Sequence, residues 1–142
     1  MRLLDVNILV YAHRKDAPAH SSYLRWWESC MESEEPFGVA DIVFSGFLRV
    51  VTPPGIFRSP SPLELALQFV SRTRAQSNHV EVQPGPRHWE IFVRLCRETN
   101  ARGNRIPDAY LAALAIESGS EWITTDRDYS RFPGLRWRHP LE

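Results

Sequence analysis

Short apolar runs alternate along this chain with longer stretches whose apolar residues recur every three or four positions. Residues 2–5 form the first run, which reads as a buried strand turning at Asp5-Val6-Asn7. A helical pattern follows over 8–13. A second covers 19–34 and carries Tyr23, Trp26, Trp27 and Cys30 at helical spacing. Residues 37–40 give a second strand, again ending at an aspartate, Asp41. Over 43–51, Phe44, Phe47, Leu48 and Val51 share one helical stripe. Residues 52–62 are rich in proline and read as a loop. Ser61, Pro62 and Glu64 have the order of a helix start with a capping box, and that helix runs to about Ala75. Residues 79–82 suit a strand, Pro84-Gly85-Pro86 a break, and 87–102 an amphipathic helix stopped at Gly103-Asn104. A further helix spans 106–118, strands fall at 121–124 and 135–138, and Asp126 follows the first of these closely.

Strands separated by helical crossovers predict a central parallel sheet covered on both faces. The expected fold class is α/β, with residues 1–142 as a single domain. A chain of 142 residues is long enough to bury its own core without staples. Its two cysteines, Cys30 and Cys96, form neither a C-x-x-C pair nor a disulfide framework, which excludes a zinc ribbon and a small disulfide scaffold. No apolar run reaches the ~18–20 residues of a membrane span. An aspartate at position 5 does not suit a signal-peptide core. A soluble, cytoplasmic protein is the expectation.

Acidic and basic side chains balance at 17 each, so the strongly basic footprint of many nucleic-acid binders is absent, although this does not exclude a local basic patch. Sixteen of the basic residues are arginine and only Lys15 is lysine.

The placement of the six aspartates carries the chemistry. Asp5, Asp41 and Asp126 each follow a different expected strand, and Asp108 opens the helix over 106–118. In an open parallel sheet, ligands bind beyond the carboxyl ends of the strands, where strand order reverses. The fold therefore gathers carboxylates at one edge, where they repel one another and burial sharpens the repulsion. A hard divalent cation, Mg²⁺ or Mn²⁺, is the simplest compensation, held by one or two carboxylates and several waters. Singly, each aspartate has an ordinary structural reading as a turn former or helix cap; together, at successive strand ends, they point to a metal site.

Other chemistries find no support. The five histidines, His13, His20, His79, His88 and His139, lack metal-ligand spacing. Ser45 lies in Phe-Ser-Gly-Phe rather than in a nucleophile elbow. The seven glycines form no phosphate loop. A phosphoacceptor domain of the response-regulator kind requires a late lysine, which the chain lacks. Of the tryptophans, Trp26 and Trp27 point about 100° apart on a helix, one to the core and one to an interface, while Trp89 and Trp122 are expected in the core.

Four stretches resemble the PIN-domain ribonucleases, and among them the VapC-type toxins of type II toxin–antitoxin modules. These are Leu3-Leu4-Asp5-Val6-Asn7, Ser45-Gly46-Phe47-Leu48-Arg49-Val50-Val51-Thr52, Pro107-Asp108-Ala109-Tyr110-Leu111-Ala112-Ala113-Leu114-Ala115, and Thr124-Thr125-Asp126-Arg127-Asp128-Tyr129 with Phe132-Pro133-Gly134-Leu135. The resemblance implies a PIN-like α/β/α sandwich with four to five parallel strands. It implies an acidic cluster that binds Mg²⁺ or Mn²⁺ and hydrolyses RNA. Asp5 matches the first acid, Asp108 the third and Asp126 the fourth, with Asp128 as a neighbour. Asn7 and Thr124 match supporting polar positions. Arg49, Arg102, Arg105 and Arg127 are expected to touch RNA. Implied partners are a second copy of the chain and a VapB-type antitoxin. One departure stands out: the family's glutamate early in the third helix is missing, since residues 42–48 contain no acid. Asp41 is the candidate substitute. The same gap supports the alternative of a catalytically impaired PIN-fold binding module.

Overall fold

A computed structural model describes residues 1–55 and 57–142. The expected loop over 52–62 includes Ile56, which lies outside the described residues. The elements are β1 (Arg2–Leu4), α1 (Val6–His13), α2 (His20–Glu32), β2 (Phe37–Gly38), α3 (Asp41–Val51), α4 (Leu63–Arg74), β3 (His79–Val80), α5 (His88–Thr99), α6 (Arg105–Glu117), β4 (Glu121–Ile123) and β5 (Trp137–Arg138), with a 3-10 turn at Arg127–Arg131 between β4 and β5. Each expected helix and strand has its counterpart, and the strands are shorter than the apolar runs that foretold them.

The strands form one all-parallel sheet in the order β3-β2-β1-β4-β5. β1 lies at the centre, with Leu3 and Leu4 fully buried. That burial explains why the strand reads as a continuous apolar run rather than an alternating one. The chain builds outward from β1 through β2 to β3, then returns to place β4 on the other side of β1. The reversal of strand order falls between β1 and β4, and the Asp5 backbone N–H donates to the Ile123 carbonyl there at 3.0 Å. Helices cover the sheet in an α/β/α sandwich. α1 packs on α2 and α3, α3 on α4, and α5 on α6, which also rests against β4.

One apolar cluster runs through the molecule. Its aromatic part joins α2, α3 and α4: Trp27 stacks on Phe69 at 5.2 Å, and Phe47 lies 5.2 Å from the same ring. His13 of α1 packs on both phenylalanines, and burial holds its imidazole below its ordinary pKa. It serves as a core ring. Trp27 is buried and Trp26 is half-buried, dividing the pair as helical geometry requires.

Two expectations are corrected. Trp89 is not in the core; it is 68% exposed on α5, because the buried stripe of that helix runs through His88, Ile91 and Leu95. Ser61 does not cap α4. The N-cap is Pro62, without a side-chain bond, while the Ser61 hydroxyl accepts from Arg14 Nη1 at 3.0 Å and lies 3.0 Å from His13 Nε2. A buried guanidinium thus takes the oxygen that the capping box would have used.

Close packing at β2 yields a prediction. A Cβ on Gly38 would stand 2.7 Å from Val82 Cγ2 and 3.0 Å from Leu3 Cδ1. Gly38→Ala is expected to destabilise the fold by about 1–3 kcal/mol through overpacking, read as a lower midpoint in urea unfolding with an unchanged slope.

Candidate active site

Asp5 sits where β1 ends and α1 begins. Its Oδ1 accepts from the Val6 N–H at 2.7 Å, making it the N-cap of α1. Oδ2 accepts from the Thr124 hydroxyl at 2.6 Å and from Asn7 Nδ2 at 3.1 Å. Thr124 follows β4, so the two strands flanking the order reversal each deliver one member of this bond. Both side chains are buried. Asn7 completes the link: its Nδ2 reaches Thr124 Oγ1 at 3.2 Å and its Oδ1 accepts from the Thr125 N–H at 3.1 Å. Thr124 Oγ1 also accepts from the Asp126 N–H at 3.0 Å. The three polar residues therefore lock the end of β1 to the turn after β4.

Asp126 starts that turn and accepts from the Asp128 N–H at 2.9 Å. The turn places Tyr129, which is buried against Trp122 and Phe132, and the Tyr129 hydroxyl donates to Asp108 Oδ1 at 3.3 Å. Asp108 lies in the first turn of α6, where a negative charge faces the positive end of the helix dipole.

The electrostatics tie these acids together. Burial raises the Asp5 carboxyl to about 6; the bonds from Thr124 and Val6 oppose this, and repulsion from Asp108 and Asp126 adds to it. Asp108 is also raised, first by burial and further by Asp126 and Asp128, against the lowering effects of Tyr129 and Arg105. Tyr129 is pushed far upward by burial and by the charges of Asp5, Asp108 and Asp126, so it stays protonated as a donor. Hard oxygen donors under mutual repulsion match the chemistry of a divalent cation. Among the described residues no three acidic, histidine or cysteine side chains stand close enough to share one ion. Asp5, Asp108 and Asp126 therefore do not stand together as three ligands of one ion; an ion here would take one or two carboxylates and water.

Asp41 goes elsewhere. It is exposed, and its Oδ1 accepts from Arg74 Nη1 at 2.6 Å, while Arg74 also reaches Glu81. Neither Asp5 nor Asp108 feels its charge among the causes of their shifts. The expectation that Asp41 replaces the missing helix glutamate is not met, because a cation from α4 claims it. Asp128 is exposed and pairs with Arg131 at 3.5 Å. Arg49 is exposed on α3 and lines a groove with Ser45, Gly46 and Pro107. Arg105, half-buried, lowers the Asp108 carboxyl by its charge. Arg102 is exposed, and Arg127 pairs with Glu142. Tyr129 was missed as a site residue; its signal was its place three residues after Asp126, in a turn whose aromatic ring had to go inward.

A PIN domain model matches residues 2–135. The chain is 43% identical over 142 residues to VapC ribonuclease Mb2897 of Mycobacterium bovis, covering 100% of this chain and 97% of that protein. It is 41% identical over 140 residues to ribonuclease VapC25 of Mycobacterium tuberculosis, covering 99% of each. Its fold matches that of VapBC2 from Rickettsia felis, solved bound to a DNA fragment from the promoter, with a TM-score of 0.70, 19% identity and 96% of both chains covered. It also matches Mycobacterium tuberculosis VapC20, a sarcin-ricin loop cleaving toxin, with a TM-score of 0.66, 14% identity, and 96% of this chain and 99% of that one covered.

The Asp5 carboxyl yields a pH prediction. Its folded pKa, about 6, lies above the ordinary value of 3.8. Between these values the folded state keeps a proton that the unfolded chain has lost. This contribution to stability is full below about pH 4 and is lost as pH rises through 6, by up to about 3 kcal/mol in metal-free protein. Asp5→Asn is expected to flatten this slope in chelator-treated protein, measured by urea unfolding from pH 4 to 7. Melting in chelator provides a second check: Asp108→Asn is expected to leave the midpoint unchanged or raise it, because it removes a repelling charge. A strand pair, a three-residue polar lock and a turn thus bring Asp5, Asp108 and Asp126 within electrostatic reach of one another, and by its match over residues 2–135 and its full-length relatives this chain belongs to the PIN-domain family, with the VapC proteins.

Proposed function

We propose that this protein is a metal-dependent endoribonuclease, the toxin of a type II toxin–antitoxin module, formed as one PIN-like domain over residues 1–142. The observation that carries the reading is the buried Asp5 carboxylate, raised by burial and by Asp108 and Asp126 at the reversal of strand order. The family match over residues 2–135 and full-length relatives named ribonucleases support it. RNA is the substrate, a VapB-type antitoxin the partner that silences the site, and a second copy of the chain the other partner. Among the described residues no helix is long and apolar enough to cross a membrane, consistent with action in the cytoplasm, where RNA is found.

Asp5 and Asp108 would hold Mg²⁺ or Mn²⁺, with Asp126 orienting the attacking water. When bound, the ion supplies positive charge against the phosphodiester and makes water a better nucleophile at neutral pH. Hydrolysis joins a water oxygen to phosphorus and breaks one P–O ester bond, and the departing alkoxide takes up a proton. The chain's own part is to hold acceptor oxygens still. Thr124 and Asn7 fix Asp5 Oδ2, and Tyr129, kept protonated, fixes Asp108. Preorganisation of this kind avoids reordering polar groups during the reaction. Arg49, Arg102, Arg105 and Arg127 would meet the RNA backbone, Arg105 from beside Asp108.

The purified protein is expected to cleave a structured RNA in Mn²⁺ and to stop when the metal is chelated. Asp5→Asn and Asp108→Asn are each expected to lower the rate by about 100-fold or more, whereas Asp41→Asn, which breaks only the pair with Arg74, should stay within a few-fold of wild type. Product analysis on gels reads all four proteins. No cleavage by the wild type across varied RNAs would favour a catalytically impaired binding module.

A further inference from the structure

A groove of about 440 Å³ opens directly beside Asp5, lined by Asp5, Asn7, Val10, Tyr11, Val50 and Phe57 among others. Its size falls in the range of small-ligand pockets, roughly 300–1,000 Å³. Its polar lining is Asp5 with the Asn7 amide bonded to it, and the rest is apolar or aromatic. Among the described residues no basic side chain lines it, so it does not suit a phosphate or an acidic peptide. It suits a flat, uncharged group attached to something that reaches Asp5.

Phe57 is held for such a role. It belongs to the loop after α3, where an aromatic side chain would ordinarily be free to swing. The Arg14 guanidinium lies 4.3 Å from the centre of its ring. Arg14 is itself buried and fully engaged. Its Nε and Nη2 donate to the two oxygens of Asp16 at 2.8 and 2.7 Å, Nη1 donates to Ser61 Oγ at 3.0 Å, and Nη2 also meets the Ser59 carbonyl. The Ser61 N–H donates to the Val51 carbonyl at 2.7 Å, drawing the loop closed. Tyr11, also in the lining, is backed by the Tyr23 ring at 4.8 Å. A cation that takes no part in the acidic cluster thus braces an aromatic wall of the groove that reaches it.

We propose that this groove seats the base of a nucleotide adjoining the scissile phosphodiester, stacked on Phe57, with Arg14 as the positioning residue that holds the ring. The proposal rests on the ribonuclease reading above. A phosphate at Asp5 places its neighbouring base within reach of the groove, and stacking on an aromatic face is how proteins bind unpaired bases whatever their sequence.

The test compares wild type, Phe57→Ala and Phe57→Trp. Cleavage of a structured RNA in Mn²⁺ gives kcat and KM, and fluorescence anisotropy in chelator gives Kd for the same RNA. Phe57→Ala is expected to raise KM and Kd by about 10-fold or more, the scale of one lost stacking contact, with kcat little changed; Phe57→Trp should restore both. Once the cleaved bond is mapped, an RNA abasic beside it is expected to weaken wild type by the same factor and Phe57→Ala no further. The wild-type half of this arm needs no variant to fold. If Phe57→Ala and the abasic RNA match their wild-type counterparts while Asp5→Asn is inactive, the base subsite is overturned and the nuclease reading stands. If Phe57→Ala spares RNA binding but loses binding of the antitoxin, the groove belongs to a protein partner and the proposal falls. If the wild type neither binds nor cuts RNA, both readings fall.

Discussion

A carboxylate taken out of water is tolerable only if other groups answer for its charge. Asp5 stands at the end of the central strand, buried, with two more acids close enough to repel it. Three hydrogen bonds, from Val6, Thr124 and Asn7, answer part of that charge, yet the carboxyl still lies near 6. In the function proposed above, a bound dication would answer the remainder. The repulsion among these acids opposes folding, so their gathering in one place is better explained by function than by stability.

Much of this was legible in the sequence because strand ends are chemically marked. A short apolar run ending in aspartate gives the strand, the edge and the acid together, as at Leu3-Leu4-Asp5 and Trp122-Ile123-Thr124-Thr125-Asp126. Helical stripes located α1 to α6 to within a few residues at each end, α5 being foretold about three too long because the left-handed Asn100 ends it before Gly103. Failures came where a long-range partner outbid a local rule. Arg14 is 47 residues from Ser61 and took the hydroxyl that local spacing assigned to a helix cap. Arg74 is 33 residues from Asp41 and took the carboxylate that strand-end logic assigned to the cleft. Trp89 followed a helical stripe that the fold turned outward, since α6 already packs the opposite face of α5. None of these partners has a signature in a local window.

The two arginines also show how the absence of a glutamate in α3 shapes the site. With Asp41 paired to Arg74 and residues 42–48 without acid, the acids come from β1, α6 and the turn after β4 alone. The α3 face is instead lined by Ile42, Val43, Ser45, Gly46 and Arg49, a wall without acid and with one cation. The aromatic groove braced by Arg14 is a separate one that shares Val6 with it. Two grooves thus share Val6: a largely apolar one edged by Ser45 and Arg49, and an apolar and aromatic one that includes Asp5.

The central claim is that Asp5, Asp108 and Asp126 form one electrostatic unit that a single kind of dication completes. Anomalous diffraction from crystals soaked in Mn²⁺ tests it most directly. The account requires a strong peak within bonding distance, roughly 2.0–2.3 Å, of an oxygen of Asp5 or Asp108, with water filling the remaining positions. Manganese bound only at other surface carboxylates, with Asp5 and Asp108 untouched at saturating concentration, would contradict it.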